Sequence, residues 1–243
     1  MAFLQRTRNI VRPVLPMRVK RGVKRIVPAR LYRHVEPGWH RKAVGGMWEE
    51  LGRLQLDFLV GQGLRPDHYF LDVGCGSLRG GVHFIRYLEA GHYYGFDRSP
   101  ERLEAGRDVE LPRYGLVSKR PVLEVIDDFG VARFDRAFDF ALAQSVFTHI
   151  PLDAIELCLQ NVGETLAQGG RLYATFNERS GEAADHVDRS ELPYGKDPIV
   201  RYEFSAFEEL CRAGPLSVDY IGEWGHPRGQ KMLVFTKRPA PGA

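Results

Sequence analysis

The stretch Tyr69-Phe70-Leu71-Asp72-Val73-Gly74-Cys75-Gly76-Ser77-Leu78-Arg79-Gly80-Gly81 decides how this chain is read. Its first five residues are an apolar run with one acid, Asp72, near the end. Glycines follow at 74, 76, 80 and 81. Val82 to Leu88 then carries apolar residues at spacings of one to four, the pattern of a buried helix. The order is strand, tight glycine-rich turn, helix. Such a turn brings bare backbone close to a ligand and aims helix-start N–H groups at it.

Two ligand classes use this arrangement. Dinucleotide enzymes require G-x-G-x-x-G, whose third glycine lets helix pack on strand. Here Arg79 stands at that position, and an acid two residues before the first glycine is foreign to that fingerprint. D-x-G-x-G instead resembles the first motif of the class I S-adenosylmethionine-dependent methyltransferases. The resemblance implies that Gly74, Cys75 and Gly76 pass under the amino-acid part of the cofactor. It also implies that Asp72 helps hold the cofactor's amino group or the turn itself. Tyr93-Tyr94-Gly95-Phe96-Asp97 is a second short strand ending in an acid, 23 residues beyond Gly74. A carboxylate there accepts hydrogen bonds from both ribose hydroxyls. Dehydrogenases share that acid, so Asp97 points to a nucleoside without choosing the cofactor. Ser99-Pro100-Glu101 reads as a helix start, with Ser as cap and Pro in the first turn.

Strands and helices alternate from Leu71 onward, which predicts a parallel sheet covered on both faces. The third strand is expected over Val122–Ile126 and the fourth over Phe138–Ala143. A helix is expected over Asp153–Ala167, then a Gly169-Gly170 turn and a strand over Arg171–Phe176. Ser205 is expected to cap a helix through Ala213. Leu216–Ile221 and Lys231–Thr236 have no helix between them and read as an antiparallel hairpin at the sheet edge, matching the reversed terminal strand of the class that the chain resembles. The fold expected is therefore a doubly wound, Rossmann-like α/β domain over residues 43–243, about seven strands and mostly parallel.

The third strand ends in Asp127-Asp128, and the resemblance implies that one of them reaches the adenine amino group; the sequence does not choose between them. Gln144-Ser145-Val146-Phe147-Thr148-His149 follows the fourth strand. In open parallel sheets, ligands bind outside the carboxyl ends of the strands at the switch in strand order. Gln144 and Ser145 are thus expected to face the cofactor, with His149 one turn on, near the methyl group. The phrases D-V-G-C-G-S-L-R-G-G and A-Q-S-V-F-T-H together resemble a bacterial subset of these enzymes acting on small molecules and glycans. Histidine titrates near neutrality, so His149 is the candidate base. His226 is a second candidate, on the opposite rim. The Asn/Asp-Pro-Pro-aromatic motif of amino-directed methyltransferases is missing after the fourth strand, and the acids that hold magnesium in catechol-type enzymes are not evident. The acceptor expected is a hydroxyl of a small molecule, lipid or glycan, with no metal.

Cys75, Cys158 and Cys211 are widely spaced, without C-x-x-C, which fits a reducing cytoplasm better than a disulfide framework or zinc site. Charge is divided unevenly. Residues 1–42 hold 12 Lys and Arg against one acid, Glu36, while the remainder holds 22 bases against 30 acids. This basic extension, with Val19, Val23, Ile26 and Val27 at helical spacing, is expected to be a weak, salt-sensitive contact for acidic membranes, a lid over the cleft, or a solvated tail. A dehydrogenase, a non-catalytic cofactor-binding scaffold and an RNA methyltransferase are the rival readings. Basic residues confined to the extension beside an acidic domain argue against nucleic acid.

Overall fold

Seven strands form one sheet in the order β3-β2-β1-β4-β5-β7-β6. The strands are β1 Phe70–Val73, β2 Tyr93–Asp97, β3 Val122–Val125, β4 Phe138–Ala143, β5 Leu166–Phe176, β6 Leu216–Gly222 and β7 Lys231–Lys237. The computed structural model describes residues 38–179 and 199–239. The amphipathic stretch Val19–Val27 therefore lies outside the described residues. β1 pairs in parallel with both β2 and β4, β2 with β3, and β4 with β5. β7 pairs antiparallel with both β5 and β6, so it is the strand that runs against the rest. The order reverses between β1 and β4, which places the switch point where the glycine turn leaves the sheet.

All four residues of β1 are buried, as a strand covered on both faces requires. Phe70 belongs to one hydrophobic core and Leu71 to the other, on opposite sides of the sheet. The first core includes Phe84 of α3 (Gly81–Tyr87) and residues of α2 (Trp48–Gly61). The second includes Ile155, Cys158 and Val162 of α5 (Leu152–Thr165) and Phe207 of α6 (Phe204–Cys211). Ser99 caps α4 (Pro100–Ala105) by accepting the Arg102 N–H at 3.3 Å. Beyond α4 the chain passes through a π-helical turn, Gly106–Glu110, into Leu111–Arg113.

Two local expectations are corrected. Helix α5 ends at Thr165, and β5 begins at Leu166 rather than Arg171. Leu166 pairs with Phe138, and the ladder then skips to Phe140 opposite Arg171, so Gly169-Gly170 sits in a bulge within the strand instead of a turn before it. The first residue of α6 is Phe204, and no side chain caps it; Ser205 lies inside the helix.

Helix α1 (Trp39–Ala43) brings His40 and Arg41, residues read from sequence as part of the basic extension, onto Glu110. The Glu110 carboxylate is fully buried. It accepts from His40 Nε2 (2.6 Å), Arg41 Nε (2.8 Å) and Arg41 Nη2 (2.6 Å). Burial raises its pKa, but the bonds from Arg41 and His40 outweigh that and hold the carboxyl below its ordinary value. Its share of stability is thus present above the unfolded pKa and is lost as pH falls through the lower folded value. Glu110→Ala, which removes the carboxylate from Arg41 and His40, should cost roughly 3 kcal/mol in urea unfolding at pH 7. The difference from the parent should shrink as the pH is lowered below about 4.

Candidate functional site

Because β1, β2 and β4 run in parallel, their carboxyl ends open at one edge, on a cavity of about 660 Å³. From β1 come Asp72 and the turn Gly74-Cys75-Gly76. From β2 comes Asp97, and from beyond β4 come Gln144, Ser145 and His149. A smaller cavity of about 140 Å³ adjoins it, sharing Gly74, Asp97, Gln144, Ser145 and His149. Its other walls include Phe96, Ile126 and Phe129, with Asp127 among them.

The turn is held at close quarters. Gly74 and Gly76 have φ of +68° and +56°, conformations natural to glycine. A Cβ on Gly74 would lie 2.7 Å from Val146 Cγ2, and one on Gly76 would lie 2.7 Å from Val44 Cγ1. The Cys75 N–H donates to the Phe96 carbonyl at 2.9 Å. Burial pushes the Cys75 thiol well above its usual range, so it is an inert wall residue. Asp97 locks the turn to β2. Its Oδ2 accepts the Gly76 N–H at 3.0 Å and its Oδ1 accepts the Ser99 N–H at 2.8 Å.

The two acids left open by the sequence separate here. Asp127 lines the smaller cavity. Asp128 lines neither cavity, and its Oδ1 accepts the Gly130 N–H at 2.9 Å as a turn residue does. The histidines separate too. His149 lines both cavities. His226 is buried, lines neither, and accepts the Arg228 N–H on Nδ1 at 3.2 Å. Burial, then the charges of Arg79 and Arg228, lower its pKa to about 4.

Sequence reasoning missed three residues that matter here. Gln230, at the foot of β7, is buried, and its Oε1 accepts from Gln144 Nε2 (3.1 Å), Ser145 Oγ (3.0 Å) and Thr175 Oγ1 (2.9 Å). This network fixes Ser145 at a φ of +57°, uncommon for a residue with a side chain. It also leaves Gln144 Oε1 buried with no hydrogen-bond partner among the described residues. Arg79 and Arg228 line the larger cavity. Arg79 Nη1 donates to the carbonyls of Val44 (2.5 Å) and Gly46 (3.3 Å), and Arg228 Nη2 donates to that of Gly45 (2.6 Å). The only signal for Arg79 was its intrusion into the glycine pattern. Arg228 and Gln230 lay in a loop with no pattern at all. Among the described residues, no group of three His, Cys, Asp or Glu side chains is placed to hold a metal ion, and no helix is long and apolar enough to cross a membrane.

Asp72 is buried and accepts the Tyr93 hydroxyl on Oδ2 at 2.6 Å. Burial raises its pKa to about 7, with Tyr93 and Arg79 opposing and Asp97 adding to the rise. The folded chain therefore holds a proton that the unfolded chain releases near pH 4. The sign follows: this contribution is full below about pH 4 and is lost as pH rises toward 7. Asp72→Asn should remove a pH-dependent loss on the order of 4 kcal/mol between those limits. The check is denaturant unfolding of the parent and the variant at several pH values across that window.

Residues 71–172 match the family model described as a methyltransferase domain. Among solved structures, the chain is similar to magnesium protoporphyrin IX methyltransferase from Synechocystis PCC 6803 with bound S-adenosylmethionine. That match has 14% identity and a TM-score of 0.58, covering 91% of this chain and 96% of that one. An S-adenosylmethionine-dependent methyltransferase from Clostridium acetobutylicum ATCC 824 matches at 14% identity and TM-score 0.60, over 87% and 99% of the two chains. A TehB-like methyltransferase from Corynebacterium glutamicum matches at 21% and 0.54, over 87% and 100%. At these identities the likeness is one of fold. The family match, from β1 into β5, assigns residues 71–172 to a methyltransferase domain.

Proposed function

We propose that this methyltransferase transfers the methyl group of S-adenosylmethionine to a hydroxyl of a small molecule, lipid or glycan. The observation that carries the reading is one continuous lining that runs from the Asp72–Gly76 turn past Asp97 to Asp127, at the ends of β1, β2 and β3. The residues present suit the cofactor. Asp97 is oriented by two backbone N–H groups and retains lone pairs for the ribose hydroxyls. Phe96, Ile126 and Phe129 form an apolar slot for a flat base, with Asp127 to accept its amino group. Asp72, held by Tyr93, lines the cavity as an acceptor for the ammonium end.

When bound, the sulfonium supplies a methyl group already activated for displacement. The chain then has two tasks, alignment and proton removal. Alignment contributes up to ~7–11 kcal/mol in favourable cases. The Gln144–Gln230–Ser145 network, buried and long-range, gives that alignment a rigid wall. His149, on the rim shared by both cavities, is the base that takes the acceptor proton. His226 is too weakly basic for that task at neutral pH and stands behind the wall. The basic extension, residues 1–42, we assign to acidic membrane surfaces on the strength of its charge, which suits a cytoplasmic enzyme with a lipid-linked acceptor.

Two variants test the reading. Asp97→Ala should weaken S-adenosylmethionine binding in calorimetry by at least ~1 kcal/mol, the scale of lost charged hydrogen bonds. Tight NAD binding without S-adenosylmethionine binding would instead return the chain to the dehydrogenases. His149→Ala should lower single-turnover rates ~10²–10⁴-fold while cofactor affinity stays nearly constant. Full activity in that variant would move the proton to solvent and overturn the assignment of the base.

A further inference from the structure

The larger cavity carries a charge imbalance that the cofactor reading does not use. Arg79 is buried, yet among the described residues neither Arg79 nor Arg228 forms an ion pair with a carboxylate. The two guanidinium groups converge. A point one Cβ bond from Gly45 lies 3.0 Å from Arg228 Nη1 and 3.5 Å from Arg79 Nη1. Each cation disfavours the other. Burial and Arg228 lower the Arg79 pKa to about 10, against the pull of Asp72. Two adjacent cations without a counter-ion are costly unless a ligand supplies the negative charge.

Both groups keep donors for such a ligand. The bonds from Arg79 to the chain all leave from Nη1, and Arg228 uses only Nη2, on one carbonyl. Nε and Nη2 of Arg79 and most of the Arg228 fork remain, the planar donors that bind carboxylate or phosphate two at a time. Position assigns the anion to the acceptor. The nucleoside acids, Asp97 and Asp127, stand at the ends of β2 and β3, on one side of β1. Arg228 comes from the loop between β6 and β7, on the far side of β4 from those acids.

We propose that the methyl acceptor is an anion, carrying a carboxylate or a phosphate that Arg228 and Arg79 receive while its nucleophile faces His149. The proposal rests on the methyltransferase reading above and narrows its acceptor class.

The test uses the full chain saturated with S-adenosylhomocysteine. Benzoate and inorganic phosphate are titrated by calorimetry into the parent and into Arg228→Gln. Arg228 is exposed, so the substitution leaves the fold intact. Saturable binding of either anion that weakens about tenfold or more in the variant, with S-adenosylhomocysteine affinity unchanged, supports the site. The anion that binds tells carboxylate from phosphate. No saturable binding to the parent, or equal binding by the variant, overturns it. So does a parallel loss of S-adenosylhomocysteine affinity, which would give the arginines to the cofactor's own carboxylate. Labelled-methyl transfer separates the two readings. Transfer to neutral hydroxyl compounds at equal rates in parent and variant ends the anion site but keeps O-methylation. Transfer to amines alone ends O-methylation, while the anion titration stands on its own result.

Discussion

One carboxylate holds the ligand-facing edge together. Asp97 accepts the Gly76 N–H with one oxygen and the Ser99 N–H with the other. The first bond ties the glycine turn after β1 to the end of β2, and the second sets the start of α4. Asp97 is buried, so the loss of either bond would leave an uncompensated polar group at the centre of the cavity wall. The glycines permit this closeness. Gly81 would place a Cβ 2.6 Å from the Tyr93 hydroxyl, the same hydroxyl that donates to Asp72. The turn, the two acids and the first contacts of α3 are therefore one packed unit, and the geometry offered to a cofactor follows from it.

A second constraint comes from the far half of the sheet. Gln230 precedes β7, the reversed strand, and reaches across to Gln144 and Ser145 beyond β4 and to Thr175 in β5. Reversal of β7 carries the β6–β7 loop to the same edge as the carboxyl ends of the parallel strands. That is why a loop distant in sequence supplies Arg228 and Gln230 to the cavity. The half with β2 and β3 brings Asp97 and Asp127 to the cavities with Arg98 and Arg102 beside them, and the β6–β7 loop brings Arg228.

How much of this was legible in the sequence depended on range. The glycine turn, the acid ending β2, the Ser99 cap and the order of strands are local patterns, and each is present in the structure. The Asp127–Asp128 ambiguity could not be resolved locally, because the choice depends on which side chain faces the cavity after a strand that ends at Val125. Gly169-Gly170 misled the reading of β5, because a bulge and a turn use the same residues. The Gln144–Gln230 bond joins residues 86 apart, and the arginine bonds to residues 44–46 span 33 to 183 positions. No periodicity or turn chemistry encodes such contacts, so Gln230 and Arg228 were invisible, and Arg79 appeared only as a departure from another family's motif.

The central claim is that the edge formed by β1, β2 and β4 holds S-adenosylmethionine with its nucleoside toward β3 and its methyl toward Gln144 and His149. A crystal structure of the full chain with S-adenosylhomocysteine tests it most directly. The account predicts ribose hydroxyls on Asp97, the adenine between Ile126 and Phe129 near Asp127, and the sulfur facing open space bounded by His149 and Arg228. A ligand bound with its nucleoside at the Arg79–Arg228 end, or outside this cavity, would contradict it.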